Sequence, residues 1–421
     1  MTNPQRIAVI GSGISGLVCS WLLSRRHEVH LYEAEADLGG HTNTEYVRAG
    51  GQEWPVNTGF IVYNDWTYPN FIRIMEQLGV ASETSSMSFS VHGGDAGLEY
   101  NGTSLDALFA QRRNLVNPRF LNMVREILRF NRLTRDDLAN DRIGARETLS
   151  DYLERHRFSR YFRQHYILPM GAAIWSASER DIDHFPVCFF LRFFRNHGML
   201  SVSDRPTWRV IQGGSEAYIP GLTKPLGERI YTHTPVKAVA RDADGVTLTS
   251  RRGDERFDQV IMATHADQAL NVLTDATDEE RRILGALPYQ PNDVVLHTDT
   301  SVLPRSRRAW AAWNYHLPES PDEPVSVTYN MNILQNFHRA PETFCVTLNR
   351  THAIDPSRII KRFQYSHPRF TLEGVDAQNQ YERIGGRHRT HYCGAYWSNG
   401  FHEDGVRSAL RVCESLGDML E

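Results

Sequence analysis

Lysine is nearly missing from this chain: of 46 basic residues only Lys224, Lys237 and Lys361 are lysines. Any chemistry that needs a lysine amine therefore has three positions to choose from. Cysteine is scarce as well. The five in 421 residues (Cys19, Cys188, Cys345, Cys393, Cys413) are odd in number and form no CxxC pair. That argues against a disulfide framework and a thiolate metal site, and it predicts a reducing cytoplasm. The 18 histidines are dispersed without HExxH, so no metal is expected. No apolar run approaches the ~20 residues that span a bilayer. The longest aromatic cluster, Phe185 to Phe194, is interrupted by Pro186 and Arg192. The first strand begins so close to Met1 that no signal peptide is expected. A net charge of −4 gives no general attraction to nucleic acid.

What is present is concentrated in Ile7 to Glu33. Ile7-Ala8-Val9-Ile10 reads as a buried parallel strand, followed by Gly11-Ser12-Gly13-Ile14-Ser15-Gly16, a G-x-G-x-x-G turn. A helix then carries Ile14, Leu17, Val18, Trp21 and Leu22 on one face, and a second strand, Val29 to Tyr32, ends on Glu33. Gly11 makes the tight turn, Gly13 lets a pyrophosphate approach the backbone, and Gly16 lets helix pack on strand. The free N–H groups of the first helical turn face the phosphates. Glu33, 20 residues after Gly13, is placed to accept hydrogen bonds from a ribose diol. Strand, helix, strand and acid in register predict dinucleotide binding.

The next residues, Ala34-Glu35-Ala36-Asp37-Leu38-Gly39-Gly40-His41-Thr42, extend this signature with an acid, a spacer and a Gly-Gly pair. Here the chain resembles the flavin amine oxidase and phytoene desaturase superfamily. The resemblance implies an α/β fold: a Rossmann-like FAD-binding domain of GR2 type, interleaved with an α+β substrate domain. It implies non-covalent FAD, with the segment from Glu33 and Ala34 to Gly39 and Gly40 running beneath it. His41 stands where relatives carry arginine, with Thr42 beside it as a hydrogen-bond donor. Thr58, Gly59 and Phe60 would line the isoalloxazine ring, since only a glycine backbone lies flat against it. The family returns to the nucleotide domain at Trp208 to Ser215, at Thr234 to Val239 (with the Val236 backbone on adenine) and at Phe257 to Thr264, with His265 just beyond. The stretch His391 to Trp397 and Gly400 to Gly405 resembles the second FAD motif. There Gly394 would meet the ribityl chain, and Asp404, Gly405 and Val406 would open a final helix aimed at the flavin. Many relatives place an acid where this chain has Ala395.

These returns divide the chain into 1–80, 205–265 and 386–421 for the FAD-binding domain, with 81–204 and 266–385 for the substrate domain. Segments 119–138 and 146–168 read as amphipathic helices, and three later segments, Val294 to Thr298, Val325 to Tyr329 and Phe344 to Leu348, read as strands. Met170 to Trp175, together with Phe185 to Phe194, supplies small and aromatic residues suited to an apolar tunnel. Trp310, Trp313, Tyr315 and Tyr329 are candidates for the substrate side, although sheet packing explains them nearly as well.

Only one G-x-G-x-x-G exists, so no second nucleotide site is expected to feed the flavin. Amine oxidases of the superfamily keep a lysine near flavin N5. Lys237 falls in the adenine strand, Lys224 in a helical segment and Lys361 in an expected surface helix, which counts against amine oxidation. GGHTxT near the N-terminus with GFHEDG near the C-terminus resembles bacterial flavoproteins associated with cyclopropane-fatty-acid-synthase-like lipid methyltransferases. That resemblance implies an apolar, fatty-acyl or phospholipid substrate oxidised by hydride transfer, with peripheral membrane contact and a methyltransferase-type partner. The alternatives are a double-bond isomerase, an amine oxidase and a non-catalytic flavoprotein subunit. His41, His265, His402 and Glu403 are the candidates for proton handling.

Overall fold

The computed structural model describes residues 3–94, 97–201, 203–320 and 323–420. At its centre is a five-stranded parallel sheet in the order Ile230–Tyr231, Glu28–Tyr32, Arg6–Ile10, Gln259–Met262, Thr390–Tyr392. The inner residues of its three central strands, Ile7 to Ile10, Val29 to Tyr32 and Val260 to Met262, are buried on both faces, as a parallel sheet covered on both sides demands. The helix Ile14–Leu23 crosses over from the first strand to the second.

That helix departs from its expected amphipathic form, because all ten of its residues are buried. The reason is a second cover. The helices Ile219–Thr223 and His402–Ser415 pack on its outer side, where Ser15, donating to the Gly405 carbonyl, and Cys19, 3.7 Å from that of Ala409, are small enough to admit the last helix. A buried bidentate pair, Arg241 on Glu280 at 2.6 and 3.0 Å, receives the Tyr392 hydroxyl at 2.6 Å. It ties the edge of the parallel sheet to the antiparallel meander Ala238–Arg241, Val246–Ser250, Gly253–Phe257.

The second large sheet has seven strands, in the order Ile359–Pro368, Tyr289–His297, Cys345–Leu348, Ser326–Asn330, Trp313–Leu317, Phe89–Gly93, Leu98–Asn101. It is antiparallel except where Trp313–Leu317 runs parallel to Phe89–Gly93. Helices from the 118–196 region cover one face in a cluster rich in phenylalanine.

Three expectations need correction. The 146–168 segment is not one helix: Leu149–Arg155 stops, Arg157 takes φ 52°, and Ser159 caps a new turn with its hydroxyl. The strand expected at Thr234 to Val239 begins only at Ala238, leaving Val236 in the extended segment before it. Lys361 lies on the strand Ile359–Pro368, not on a helix, and its ammonium sits 2.6 Å from Glu45.

Candidate functional site

The glycine turn is built by close approaches. Gly11 has φ +99°, and a Cβ there would lie 2.8 Å from the Ala263 carbonyl oxygen; a Cβ on Gly16 would lie 1.9 Å from that of Gly11. Gly13, the N-cap of the first helix, has nothing within 4 Å of where its Cβ would be. No side chain among the described residues caps that helix, so its first N–H groups are left for an outside acceptor. Ser12 donates both its N–H (2.9 Å) and its hydroxyl (2.5 Å) to Glu33 Oε2.

Glu33 and Glu35 pair through their backbones with Tyr231, His233 and Thr234, which fixes Ala34 between them; the last of these, Thr234, is two residues short of Val236. Gly39 then returns over the turn, its N–H donating to the Ser12 carbonyl at 3.1 Å. Gly40 follows with φ +58°, placed so that a Cβ would touch the Gly13 Cα at 3.2 Å.

Beyond Gly40 the chain enters a group of rings. His41 has His265, Tyr365 and His367 at ring distances of 5.9, 5.1 and 5.5 Å, and its Nε2 is buried with no hydrogen-bond partner among the described residues. His265 stacks on Tyr289 at 4.2 Å. The Phe60 N–H donates to the His41 carbonyl at 2.7 Å, and a Cβ on Gly59 would fall 2.0 Å from that oxygen. Thr58 accepts from the Asn43 amide at 2.7 Å and shares a hydrogen bond with the Tyr365 hydroxyl at 2.9 Å. The Phe60 ring stacks on His402 at 3.6 Å, and His402 Nε2 meets the Thr42 and Tyr218 hydroxyls at 3.0 and 3.2 Å.

Burial pushes His41 and His265 down to about 4, and His367 and His402 down to about 3, with neighbouring histidines adding to the shift. All four are neutral at pH 7. The structure thus gathers three of the four proton-handling candidates. Glu403 is occupied elsewhere: its carboxylate accepts the Asn70 and Phe71 N–H groups at 3.2 and 2.9 Å and the Asn70 amide at 2.6 Å, capping the helix Pro69–Leu78.

The last helix meets the first at Gly405, whose carbonyl accepts the Ser15 hydroxyl at 2.9 Å. A Cβ on Gly405 would lie 2.7 Å from Ile14 Cγ2, and Val406 beside it is fully buried. Asp404 turns back to accept the Phe401 N–H at 3.0 Å, and burial raises its carboxyl above the usual range. Gly394 donates its N–H to the Ser408 hydroxyl at 2.8 Å, with Ala395 opening the short turn that follows. Cys393 is fully buried, 3.9 Å from Cys19.

Sequence reasoning missed Tyr218, Tyr289, Tyr365 and His367. For Tyr365 and His367 a signal was there, the alternation Phe363, Tyr365, His367, which is a strand period. Trp310, Trp313, Tyr315 and Tyr329 all make contacts within the protein, and Trp313 keeps a buried indole nitrogen without a partner among the described residues. Trp313 and Tyr329 meet edge to face at 5.0 Å, Trp310 donates to the Pro304 carbonyl, and the buried Tyr315 donates its hydroxyl to Glu179 at 2.9 Å.

A glycine turn with room at Gly13, a carboxylate held at the end of the second strand and an unpartnered histidine nitrogen form a set that fits a dinucleotide carrying a polar ring. Residues 14–329 match the family model described as flavin containing amine oxidoreductase. The chain belongs to that family. It is an FAD-dependent oxidoreductase, and its mixed α/β architecture is that of the superfamily.

A CLA-producing fatty acid isomerase from P. acnes superposes with a TM-score of 0.72 at 16% identity, over 99% of this chain and 100% of the other. A putative protoporphyrinogen oxidase from Exiguobacterium sp. 255-15 gives a TM-score of 0.67 at 18% identity, over 99% of both chains. In sequence, 105 residues are 33% identical to the carotenoid phi-ring synthase of Chlorobaculum tepidum; they are 24% of this chain and 16% of that protein. No helix among the described residues is long and apolar enough to cross a membrane.

Proposed function

We propose that the chain holds FAD non-covalently and oxidises an apolar, fatty-acyl substrate by hydride transfer to the flavin. The observation that carries this reading is a cavity of about 270 Å³ lined by Trp175, Ala177, Phe185, Pro368 and Phe370, with Asp181, His184 and Arg369 among its polar residues. Phe370 packs toward Gly400, and Trp175 Nε1 donates to the Asn399 carbonyl at 3.3 Å. The cavity therefore abuts the loop before His402, and on the strand side it starts one residue after His367. The aromatic side of this cavity favours a hydrocarbon chain over a polar one.

In this reading the first helix N-terminus and the backbone at Gly13 take the pyrophosphate, and Glu33 takes the ribose diol. Bound FAD supplies the hydride acceptor. His41 Nε2, buried and without a partner among the described residues, is free to make a hydrogen bond to the ring or to hold a proton beside it. His402 is oriented by Thr42 and Tyr218, which fixes its ring against Phe60. A lysine-assisted amine oxidation is disfavoured because Lys224, Lys237 and Lys361 are all exposed. Buried Cys393, packed on Cys19 beneath the first helix, fits a structural thiol and supports non-covalent retention. A lipid-methyltransferase-type partner belongs to the same proposal.

A second reading, double-bond isomerisation, is favoured by the likeness to the fatty acid isomerase over the whole of both chains. Anaerobic mixing of the yellow protein with unsaturated and methyl-branched fatty acids and phospholipids tests both. Stoichiometric bleaching of the flavin supports oxidation, whereas product without net bleaching supports isomerisation. If primary amines bleach the flavin and no lipid does, the acyl proposal is overturned.

A further inference from the structure

Nine large hydrophobic side chains are exposed among the described residues, and five of them fall within 105–128: Leu105, Leu115, Val116, Leu121 and Leu128. Val116 is 82% exposed and Leu105 76%. These residues follow one another along one stretch of chain: the short helix Leu105–Leu108, the turn Arg112–Val116, and the helix Pro118–Ala139 that follows. The long helix buries Phe120, Met123, Glu126, Phe130 and Thr134 against the body of the protein. At 100° per residue its opposite side carries Leu121, Arg125, Leu128 and Arg132 in one stripe about 60° wide.

Arginine outnumbers acid on this surface. Residues 105–139 contain seven arginines and four acids, in a chain whose net charge is −4. Of the acids, Asp106 is paired with Arg112, Asp136 with Arg142, and Asp137 is buried. Glu126 points inward, where its carboxylate accepts the Ser159 N–H at 2.8 Å and the Ser159 hydroxyl. Arg119, Arg125, Arg132 and Arg135 have no carboxylate partner among the described residues. Burying Val116 and Leu128 against a protein would bring these uncompensated guanidinium groups with them. A second copy of the chain would oppose arginine to arginine.

We propose that this face, the 105–116 segment with the outer stripe of the 118–139 helix, docks on the surface of an anionic lipid bilayer. The branched aliphatic side chains enter the boundary between headgroups and acyl chains, while the arginines reach out to phosphate oxygens in the headgroup layer. The patch holds leucine and valine with no tryptophan or tyrosine exposed among them. That composition fits the fluid edge of a membrane better than the shaped pocket of a protein partner. The proposal rests on the surface alone and stands whichever substrate the cavity takes.

The experiment is sedimentation of the flavin-loaded protein with sucrose-filled vesicles, either phosphatidylcholine alone or phosphatidylcholine with phosphatidylglycerol. Binding is expected to the mixed vesicles, to weaken as salt is added, and to be far weaker on phosphatidylcholine alone. Val116→Ser with Leu128→Ser is expected to reduce binding about ten-fold or more, since each loses an inserted aliphatic group. Arg125→Gln with Arg132→Gln is expected to remove most of the salt dependence. Both pairs lie on the exposed face, and unchanged flavin absorbance and melting temperature would show that the fold is intact. Wild-type protein that ignores both vesicle types, or variants that bind as well as wild type, would overturn the proposal. So would light scattering that shows a dimer abolished by the same substitutions, which would assign the face to self-association.

Discussion

Ser12 and Glu33 are locked together across the first crossover, with two donors of one residue on a single carboxylate oxygen of the other. The Glu35 N–H holds the second oxygen at 3.0 Å, so the carboxylate is oriented before any ligand arrives. Pre-set acceptors of this kind lose little entropy on binding. Glu33→Ala is therefore expected to weaken FAD retention about 10- to 100-fold, the equivalent of one or two charge-assisted hydrogen bonds. Fluorescence titration of the flavin-free protein measures it, and an unchanged Kd would remove the ribose role from Glu33.

Gly13 and Gly16 separate binding from folding. Gly13→Ala adds a methyl group to open space, so the flavin-free protein should melt within about 1 °C of wild type while FAD binds at least ~10-fold more weakly. Gly16→Ala puts a methyl group on the Gly11 carbonyl, and the strand and helix must separate to admit it. A loss of roughly 1–3 kcal/mol or outright insolubility is expected there. Denaturant melts of the two flavin-free variants decide the matter; equal effects would mean that Gly13 is structural as well.

The glycine turn and its acid were legible because everything that defines them lies within one strand-helix-strand unit. The family resemblance then carried the fold class. What escaped is set by distant contacts. Glu403 looked like a proton donor in GFHEDG, but its partners, Asn70 and Phe71, lie more than 300 residues earlier in the chain. Tyr365 and His367 reach His41 from a strand whose alternation is masked by Lys361, Arg362 and Arg369, which suggest a surface helix. The all-round burial of the first helix was hidden too, because an amphipathic pattern does not show that small residues on the polar side admit a second layer.

The histidine group makes stability depend on acid. His41, His265, His367 and His402 are held neutral by burial, at about 4, 4, 3 and 3, against an unfolded value of 6.5. The unfolded chain therefore binds the extra protons, so stability is complete above pH 6.5 and is lost as pH falls toward 4. By pH 5.5 the cost is on the order of 1 kcal/mol for each histidine. Thermal melts from pH 7.5 to 4.5 should show a steady decline, shallower in His402→Gln than in wild type. A melting temperature flat down to pH 5 would mean that water reaches these rings.

Glu179 predicts the opposite slope. Buried beneath the seven-stranded sheet's helical cover, with the Tyr315 hydroxyl its one hydrogen-bond partner among the described residues, its carboxyl is pushed up to about 7, burial outweighing that bond. Here the folded state holds the proton that the unfolded chain, at 4.5, has already released, so this group's contribution falls as pH rises from 4.5 through 7. Glutamine keeps an acceptor for Tyr315 and never ionises. Glu179→Gln should therefore match wild type at pH 5 and exceed it at pH 8 by roughly 1–2 kcal/mol, measured by urea denaturation at both pH values. A variant less stable than wild type at pH 8 would show that the ionised carboxylate is accommodated, and that the Tyr315 hydrogen bond outweighs the burial.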